Sequence, residues 1–165
     1  MLNDSIIKKI AELKKQYPHL RSALMPALHL IQKDVGYLSE EVLSDVAKEF
    51  CLSLLEVKSV VSFYTMYKTK PVGKYHIRVC RSLSCDLAGS SLIKDWLVEN
   101  LNVGQNVVTA DGLWSYEFVH CLGGCGNAPV IQINDCLYEK MSVEKLEALK
   151  KEIESTLPNL SLNID

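Results

Sequence analysis

The sequence predicts an α/β protein in which a small bundle of helices precedes a compact domain with a mixed sheet. Apolar residues recur every three or four positions between residues 5 and 66, as in amphipathic helices. From residue 75 the spacing changes to two, as in strands, and strand patterns then alternate with helical ones. Four cysteines form two short-spaced pairs, each beginning where a predicted strand ends.

Size and composition limit the classes of protein to consider. With 165 residues, 48% of them hydrophobic, the chain can bury one sizeable core, or a small helical unit beside a domain of about 100 residues. A disordered chain is excluded. The net charge of −2 and the lack of a Lys/Arg run argue against nucleic acid and a membrane surface as partners, and favour proteins.

The chain has no pattern that predicts membrane insertion or export. Charged residues interrupt the apolar stretches, and the start of the sequence lacks a basic segment followed by a hydrophobic one. We therefore expect a cytoplasmic protein. Thiols stay reduced there, so the six cysteines favour metal or redox chemistry over structural disulfides.

The first two predicted helices carry one apolar face each. In the first, this face consists of Ile6, Ile10, Leu13 and Tyr17. The second covers residues 20–35 and contains Pro26, so it either starts near this proline or kinks there. Gly36 is suited to end it.

Capping patterns predict where the third and fourth helices begin. Ser39, followed by Glu40 and Glu41, supplies an N-cap and an acidic first turn. Ser53 and Glu56 have the spacing of a capping box. None of the four helices carries an obvious catalytic group, and we expect this N-terminal domain, residues 1–70, to dock onto a partner.

A boundary rich in proline and glycine separates these helices from a second domain, residues 71–165. The first strand alternates through Tyr75, Ile77 and Val79 and ends at Cys80. A helix over residues 92–101 follows, and then a turn at residues 111–112.

The remaining pattern completes a mixed sheet. A second strand runs from Trp114 through Phe118 and ends at Cys121, and residues 130–138 predict a hairpin. A closing helix starts at Ser142. Ligands in such folds gather at loops beyond strand ends, which is where both cysteine pairs lie.

The cysteine pairs are the candidate cofactor site. Cys80 and Cys85 form a C-x₄-C pair, and Cys121 and Cys125 form a C-x₃-C pair. Thiolates grouped this way select iron–sulfur clusters or zinc, and each iron of a [2Fe–2S] cluster needs two thiolates from the protein. The strand assignments predict that both loops converge on one edge of the sheet, where the glycines of the second loop let its backbone approach the cluster.

The spacing of the cysteines leaves other interpretations open. A Cys₄ zinc site also accepts two short-spaced pairs, although its usual spacing is C-x₂-C. A zinc-stabilised interaction module is therefore an alternative function. A dithiol oxidoreductase is weaker, because its C-x-x-C motif is absent.

Four residues near these patterns are interpreted as structural. Cys51 and Cys136 are isolated and are expected to serve as small structural residues, Cys51 being buried beside Phe50. His120 is expected in a supporting or surface position. The peptide bond before Pro129 is expected to be trans, because cis bonds make up only about 5% of X-Pro bonds in folded proteins.

Longer stretches resemble a known family. They are FYTMYKTKPVGKYHIRVC at residues 63–80, HCLGGC at residues 120–125, APV at residues 128–130, LMPALHLIQ at residues 24–32 and GYLS at residues 36–39. Together they resemble the 24 kDa subunit family of NADH:quinone oxidoreductase, respiratory complex I. The resemblance covers roughly residues 17 to 150.

The resemblance implies a thioredoxin-like [2Fe-2S] ferredoxin domain after an N-terminal helical bundle. One [2Fe-2S] cluster would be held by Cys80 and Cys85 on one iron and Cys121 and Cys125 on the other. No residue of the chain would be catalytic in the bond-breaking sense.

The resemblance also implies a function and partners. The chain would be an electron-transfer subunit that exchanges single electrons with FMN in a partner flavoprotein subunit, which also binds NADH. It would belong to a hetero-oligomer, in the peripheral arm of a membrane-associated complex. An equivalent subunit of an NAD-dependent hydrogenase or formate dehydrogenase is the alternative.

Overall fold

The computed structural model describes residues 2–156, and the chain divides into two compact units, residues 1–72 and 73–165. The helices of the first unit are α1 (Asp4–Lys14), α2 (Leu24–Val35), α3 (Glu40–Glu49) and α4 (Leu54–Phe63), with a 3₁₀ turn at Leu20–Ala23. The second unit contains β1 (Tyr75–Cys80), α5 (Leu83–Leu87), α6 (Ser90–Leu101), β2 (Trp114–Val119), a 3₁₀ turn (Cys125–Asn127), β3 (Ile131–Ile133), β4 (Cys136–Tyr138) and α7 (Val143–Thr156).

All four predicted N-terminal helices are present, and their capping signals are confirmed. The Ser39 hydroxyl accepts a hydrogen bond from the Val42 N–H, and Ser53 and Glu56 form the reciprocal bonds of a capping box. The helices enclose a core of their own, which includes Ile10, Leu28, Ile31, Leu38, Val46, Phe50 and Val57.

The boundaries of α1 and α2 refine the prediction. Helix α1 ends at Lys14, so Tyr17 lies beyond it and contacts the same core from the following segment. Helix α2 begins at Leu24, which places Pro26 in the first turn, where its missing N–H breaks no helical hydrogen bond. The helix therefore starts near Pro26 instead of kinking there. It ends at Val35 and is capped, as expected, by Gly36, whose φ is +86°.

The expectation that Cys51 is buried is wrong, since its side chain is exposed, as is that of Cys136. Cys51 follows Phe50, the C-terminal cap of α3, and adopts a left-handed φ of +52°. This turn sends Phe50 into the core and Cys51 away from it. Cys136 begins β4 at the edge of the sheet.

The second unit has the predicted mixed sheet, with strand order β2-β1-β3-β4. Strands β1 and β2 are parallel, and β3 is antiparallel to both β1 and β4. The predicted hairpin is confirmed as β3 and β4. Because β1 and β2 are parallel and in register, with Cys80 opposite Val119, both chains leave the sheet at the same edge.

One face of the sheet carries the core of this unit. The alternate residues Ile77 and Val79 of β1 lie in this core with Trp114 and Tyr116 of β2, as the alternation of the sequence predicts. Helices α6 and α7 contribute the other half, through Ile93, Leu97, Leu101, Leu146, Leu149 and Ile153.

The other face of the sheet holds a buried polar network. The Ser115 hydroxyl oxygen accepts a hydrogen bond from the Gly73 N–H at 2.8 Å and lies 2.8 Å from Nδ1 of His76. The Nε2 atom of the same ring lies 3.3 Å from a carboxylate oxygen of Glu117. The network fixes the chain at Gly73, where the second unit begins.

No helix within residues 2–156 combines the length and the apolar character that crossing a membrane requires.

Among the glycines, Gly73 has the least room for a side chain. A Cβ atom there would lie 2.5 Å from the backbone carbonyl carbon of Trp114. Because backbone atoms cannot rotate away, Gly73→Ala should lower the free energy of unfolding by about 2–3 kcal/mol, as overpacked sites do. Urea unfolding followed by circular dichroism measures this.

Gly104→Ala is the matched control, since its Cβ would meet only a Val107 methyl group at an ordinary 3.7 Å. Equal stability of the two variants would contradict the close approach of Gly73 to β2.

Candidate functional site

The first cysteine pair lies at one edge of the sheet, on two different elements. Cys80 is the last residue of β1, and Cys85 lies in α5, a five-residue helix where the sequence predicts a loop. Both side chains are buried. The helix directs Cys85 inward, while Leu83 and Leu87 are exposed.

The surroundings of Cys80 favour a thiolate. Burial raises the pKa of its thiol, but hydrogen bonds involving the side chain and backbone of Ser82, the Cys85 thiol and the backbone of Leu122 outweigh it, so the pKa is below its ordinary value. The Ser82 hydroxyl lies 3.3 Å from the Cys80 sulfur. Burial, together with the nearby Cys80, raises the pKa of the Cys85 thiol.

The second cysteine loop reaches the same edge, as predicted. Strand β2 ends at Val119, two residues before Cys121, so His120 and Cys121 lie beyond the sheet. The Cys80 thiol donates to the His120 carbonyl, with 3.9 Å between sulfur and oxygen. Leu122 contacts the small buried cluster of Cys80, Cys85 and Val130. The two loops are therefore neighbours.

Cys121 and Cys125 differ from the first pair in being exposed. The Gly123 N–H donates to the Cys121 sulfur at 3.3 Å, and Cys125 opens a 3₁₀ turn. In the described part of the chain, no three His, Cys, Asp or Glu side chains are already arranged as a metal-binding group. The fold thus brings the two loops together without gathering the four sulfurs around one point.

The residues at this edge nevertheless fit an iron–sulfur cluster. Four thiols on adjoining loops are the donor set that such clusters use, and the first pair is shielded from water. The sulfur of Cys121 accepts a hydrogen bond from the Gly123 N–H of its own loop, as sulfurs of such sites commonly do.

Pro129 and His120 lie next to the second cysteine loop. The Ala128–Pro129 peptide bond is cis, so the expectation of trans is wrong. The intrinsic preference for trans before proline is only about 0.5–1 kcal/mol, which tertiary contacts readily override. His120 is exposed, and its ring lies 3.1 Å from the Arg81 guanidinium, in agreement with the predicted surface position.

Comparison with known proteins identifies the family. The profile of the thioredoxin-like [2Fe-2S] ferredoxin family matches residues 10–154, most of the chain. The chain belongs to this family. The thioredoxin-like fold class expected from the resemblance is thereby confirmed, and the family supports an iron–sulfur cluster as the cofactor.

Relatives with similar sequences are subunits of NADH-quinone oxidoreductases. Subunit 2 of the Thermus thermophilus enzyme is 45% identical over 130 residues, which cover 78% of this chain and 72% of the relative. An NADH-quinone oxidoreductase subunit of Rhizobium meliloti is 37% identical over 134 residues, or 81% and 80% of the two chains. The resemblance noted from the sequence motifs is confirmed.

A solved structure supports the fold. An NAD⁺-reducing [NiFe]-hydrogenase in its air-oxidised state superposes with a TM-score of 0.69 at 23% identity. The match covers 82% of this chain and 23% of the hydrogenase chain.

Ser82 offers a test of the site. Its hydroxyl lies next to the Cys80 sulfur, where a donated hydrogen bond would stabilise the negative charge that a cluster gains on reduction. Ser82→Ala should therefore lower the reduction potential by about 20–40 mV, the equivalent of roughly 0.5–1 kcal/mol for one electron. A redox titration followed by electron paramagnetic resonance (EPR) measures the shift.

Ser155→Ala, which removes a hydroxyl bonded to the Glu152 carbonyl on α7, is the control. An unchanged potential in Ser82→Ala would mean that this hydroxyl does not donate to the sulfur.

Proposed function

We propose that this chain is the [2Fe–2S] electron-transfer subunit of an NADH:quinone oxidoreductase. The observation that carries the proposal is the meeting of the two cysteine loops at one sheet edge, where the Cys80 thiol contacts the His120 carbonyl just before Cys121. The family and the names of the relatives agree with it.

The proposed ligands are Cys80 and Cys85 for one iron and Cys121 and Cys125 for the other. Cys80 and Cys85 lie in the same small buried cluster, which supports assigning them to one iron. Cys51 and Cys136 belong to neither loop, and both are exposed.

The cluster would supply reversible one-electron transfer, and the surrounding residues of the chain would set its reduction potential. Burial of the first pair disfavours the extra negative charge of the reduced state. The Ser82 hydroxyl and the Gly123 N–H oppose that effect by hydrogen bonding to sulfur. The exposed second pair lies on the side that a redox partner can approach.

The proposed partner is a flavoprotein subunit that binds FMN and NADH. The sequence has no glycine-rich dinucleotide fingerprint of its own, so NADH oxidation is assigned to the partner. The resulting hetero-oligomer would place this chain in the cytoplasmic, peripheral arm of a membrane-associated complex. Quinone is favoured as the final acceptor because the matched relatives are NADH-quinone oxidoreductase subunits.

Cofactor content is the direct test. Protein purified without oxygen should be red-brown and contain about two irons and two labile sulfides per chain. Cys80→Ser, Cys85→Ser, Cys121→Ser and Cys125→Ser should each lose most of the visible absorption, because each removes a thiolate ligand. Iron, zinc and sulfide analysis with visible spectroscopy measures this.

Cys51→Ser and Cys136→Ser are the matched controls, since both thiols are exposed and outside the two loops. Colourless protein with one zinc per chain would contradict the proposal and favour the zinc-stabilised module.

We further propose that the N-terminal unit docks onto the flavoprotein subunit. Because this unit has its own core, docking is not needed to complete its burial. The support comes from α4, where Leu55 and Phe63 are 77% and 75% exposed. Large apolar side chains this exposed are typical of surfaces that another protein covers.

Combining Leu55→Ser with Phe63→Ser should therefore weaken association with the flavoprotein subunit at least tenfold, about 1.4 kcal/mol, while the cluster spectrum stays unchanged. Titration of the purified subunits by calorimetry measures the affinity. Leu137→Ser, which alters an exposed leucine of β4, is the control. If the control weakens association as much as the double variant does, the docking surface is not on α4.

A further inference from the structure

The loop that carries Cys125 is attached to the segment that follows β4. We call this segment, residues 139–141, the clasp. The Asn127 side-chain amide donates to a Glu139 carboxylate oxygen at 2.9 Å. The backbone N–H of Lys140 donates to the Asn127 carbonyl at 2.7 Å, and that of Met141 to the Pro129 carbonyl at 3.0 Å. Three hydrogen bonds in succession thus tie the end of the loop to the clasp.

The second carboxylate oxygen of Glu139 lies beside the loop backbone. A Cβ atom built on Gly124 would be 3.4 Å from it. This oxygen is therefore within about 5 Å of the Gly124 Cα, given a bond of about 1.5 Å from Cα to Cβ. Gly124 directly precedes Cys125, so a negative charge lies close to this part of the second cysteine loop.

Other charges share this region, and the positive ones oppose the effect of Glu139. Lys145 and Glu152 of α7 line the same groove as Glu139. The ammonium of Lys145 donates to the Lys140 carbonyl at 2.7 Å, which fixes a positive charge at the clasp. Glu152 adds a negative one. Glu139 itself is exposed, so water and salt screen part of its field.

We infer that Glu139 positions the Cys121–Cys125 loop through Asn127 and that its carboxylate lowers the reduction potential of the cluster held by that loop. The inference rests on the proposed function, since it requires the cluster. A cluster with four thiolate ligands gains a further negative charge on reduction, and a nearby carboxylate disfavours that step.

Glu139→Gln separates the charge from the hydrogen bond, because the glutamine carbonyl can still accept from Asn127. We expect the potential of the full-length chain to rise, with at least a threefold change in the equilibrium constant for one-electron reduction. This corresponds to about 28 mV, since tenfold corresponds to 59 mV for one electron. EPR-monitored titration measures it, and a role in folding alone would not produce such a shift.

Glu99→Gln is the matched control, because it removes one exposed carboxylate from the C-terminal half of α6. An equal shift in both variants would overturn the electrostatic part of the inference. A Glu139→Gln chain that no longer holds the cluster would also overturn it, since the hydrogen bond would then not explain how the loop is positioned.

Asn127→Ala tests the positioning role by itself. It removes the side-chain bond to Glu139 but keeps the carboxylate. We expect the cluster to be lost at least threefold faster to an iron chelator, measured as decay of visible absorption. Asn100→Ala, which removes an amide bonded to the Trp96 carbonyl on α6, is the control. Equal rates in the two variants would overturn the positioning role.

These outcomes are distinct from failure of the proposed function. If the unmodified chain binds no iron and no labile sulfide, the proposed function itself is wrong. If it binds the cluster and the variants behave like their controls, only the role of Glu139 is wrong.

Discussion

The parallel pairing of β1 with β2 is the constraint on which the rest of the site depends. Parallel strands in register leave a sheet at the same edge, so Cys80 and the residues after Val119 must emerge side by side. A one-residue slip would turn Cys80 to the opposite face and move Ile77 and Val79 out of the core. The hydrophobic core therefore fixes the register that brings the two cysteine loops together.

Few buried residues surround the cysteine site. Its buried cluster consists of Cys80, Cys85 and Val130, with Leu122 and Ala128 packed beside them. The order of the second loop therefore comes from hydrogen bonds, to the Cys80 region on one side and to the residues after β4 on the other. Loops ordered in this way have low local stability, which suits a region that must close around a cofactor.

Opposing electrostatic effects meet at the same edge. Burial and a nearby carboxylate disfavour additional negative charge, whereas the Ser82 hydroxyl and loop N–H groups favour it. Because the first cysteine pair is buried and the second is exposed, the site is accessible from the side of the second pair.

The sequence by itself determined the element types, most helix starts, the cysteine pairs and the family, because periodicity, caps and motifs are local signals. It did not reveal α5, whose five residues are too few for a periodic pattern, nor the exposure of Cys51, which depends on a left-handed turn after Phe50. Only the tertiary structure decided the cis peptide at Pro129 and the contact between Asn127 and Glu139. Both depend on segments that fold together from different parts of the chain, and such contacts leave no periodic trace in a single sequence.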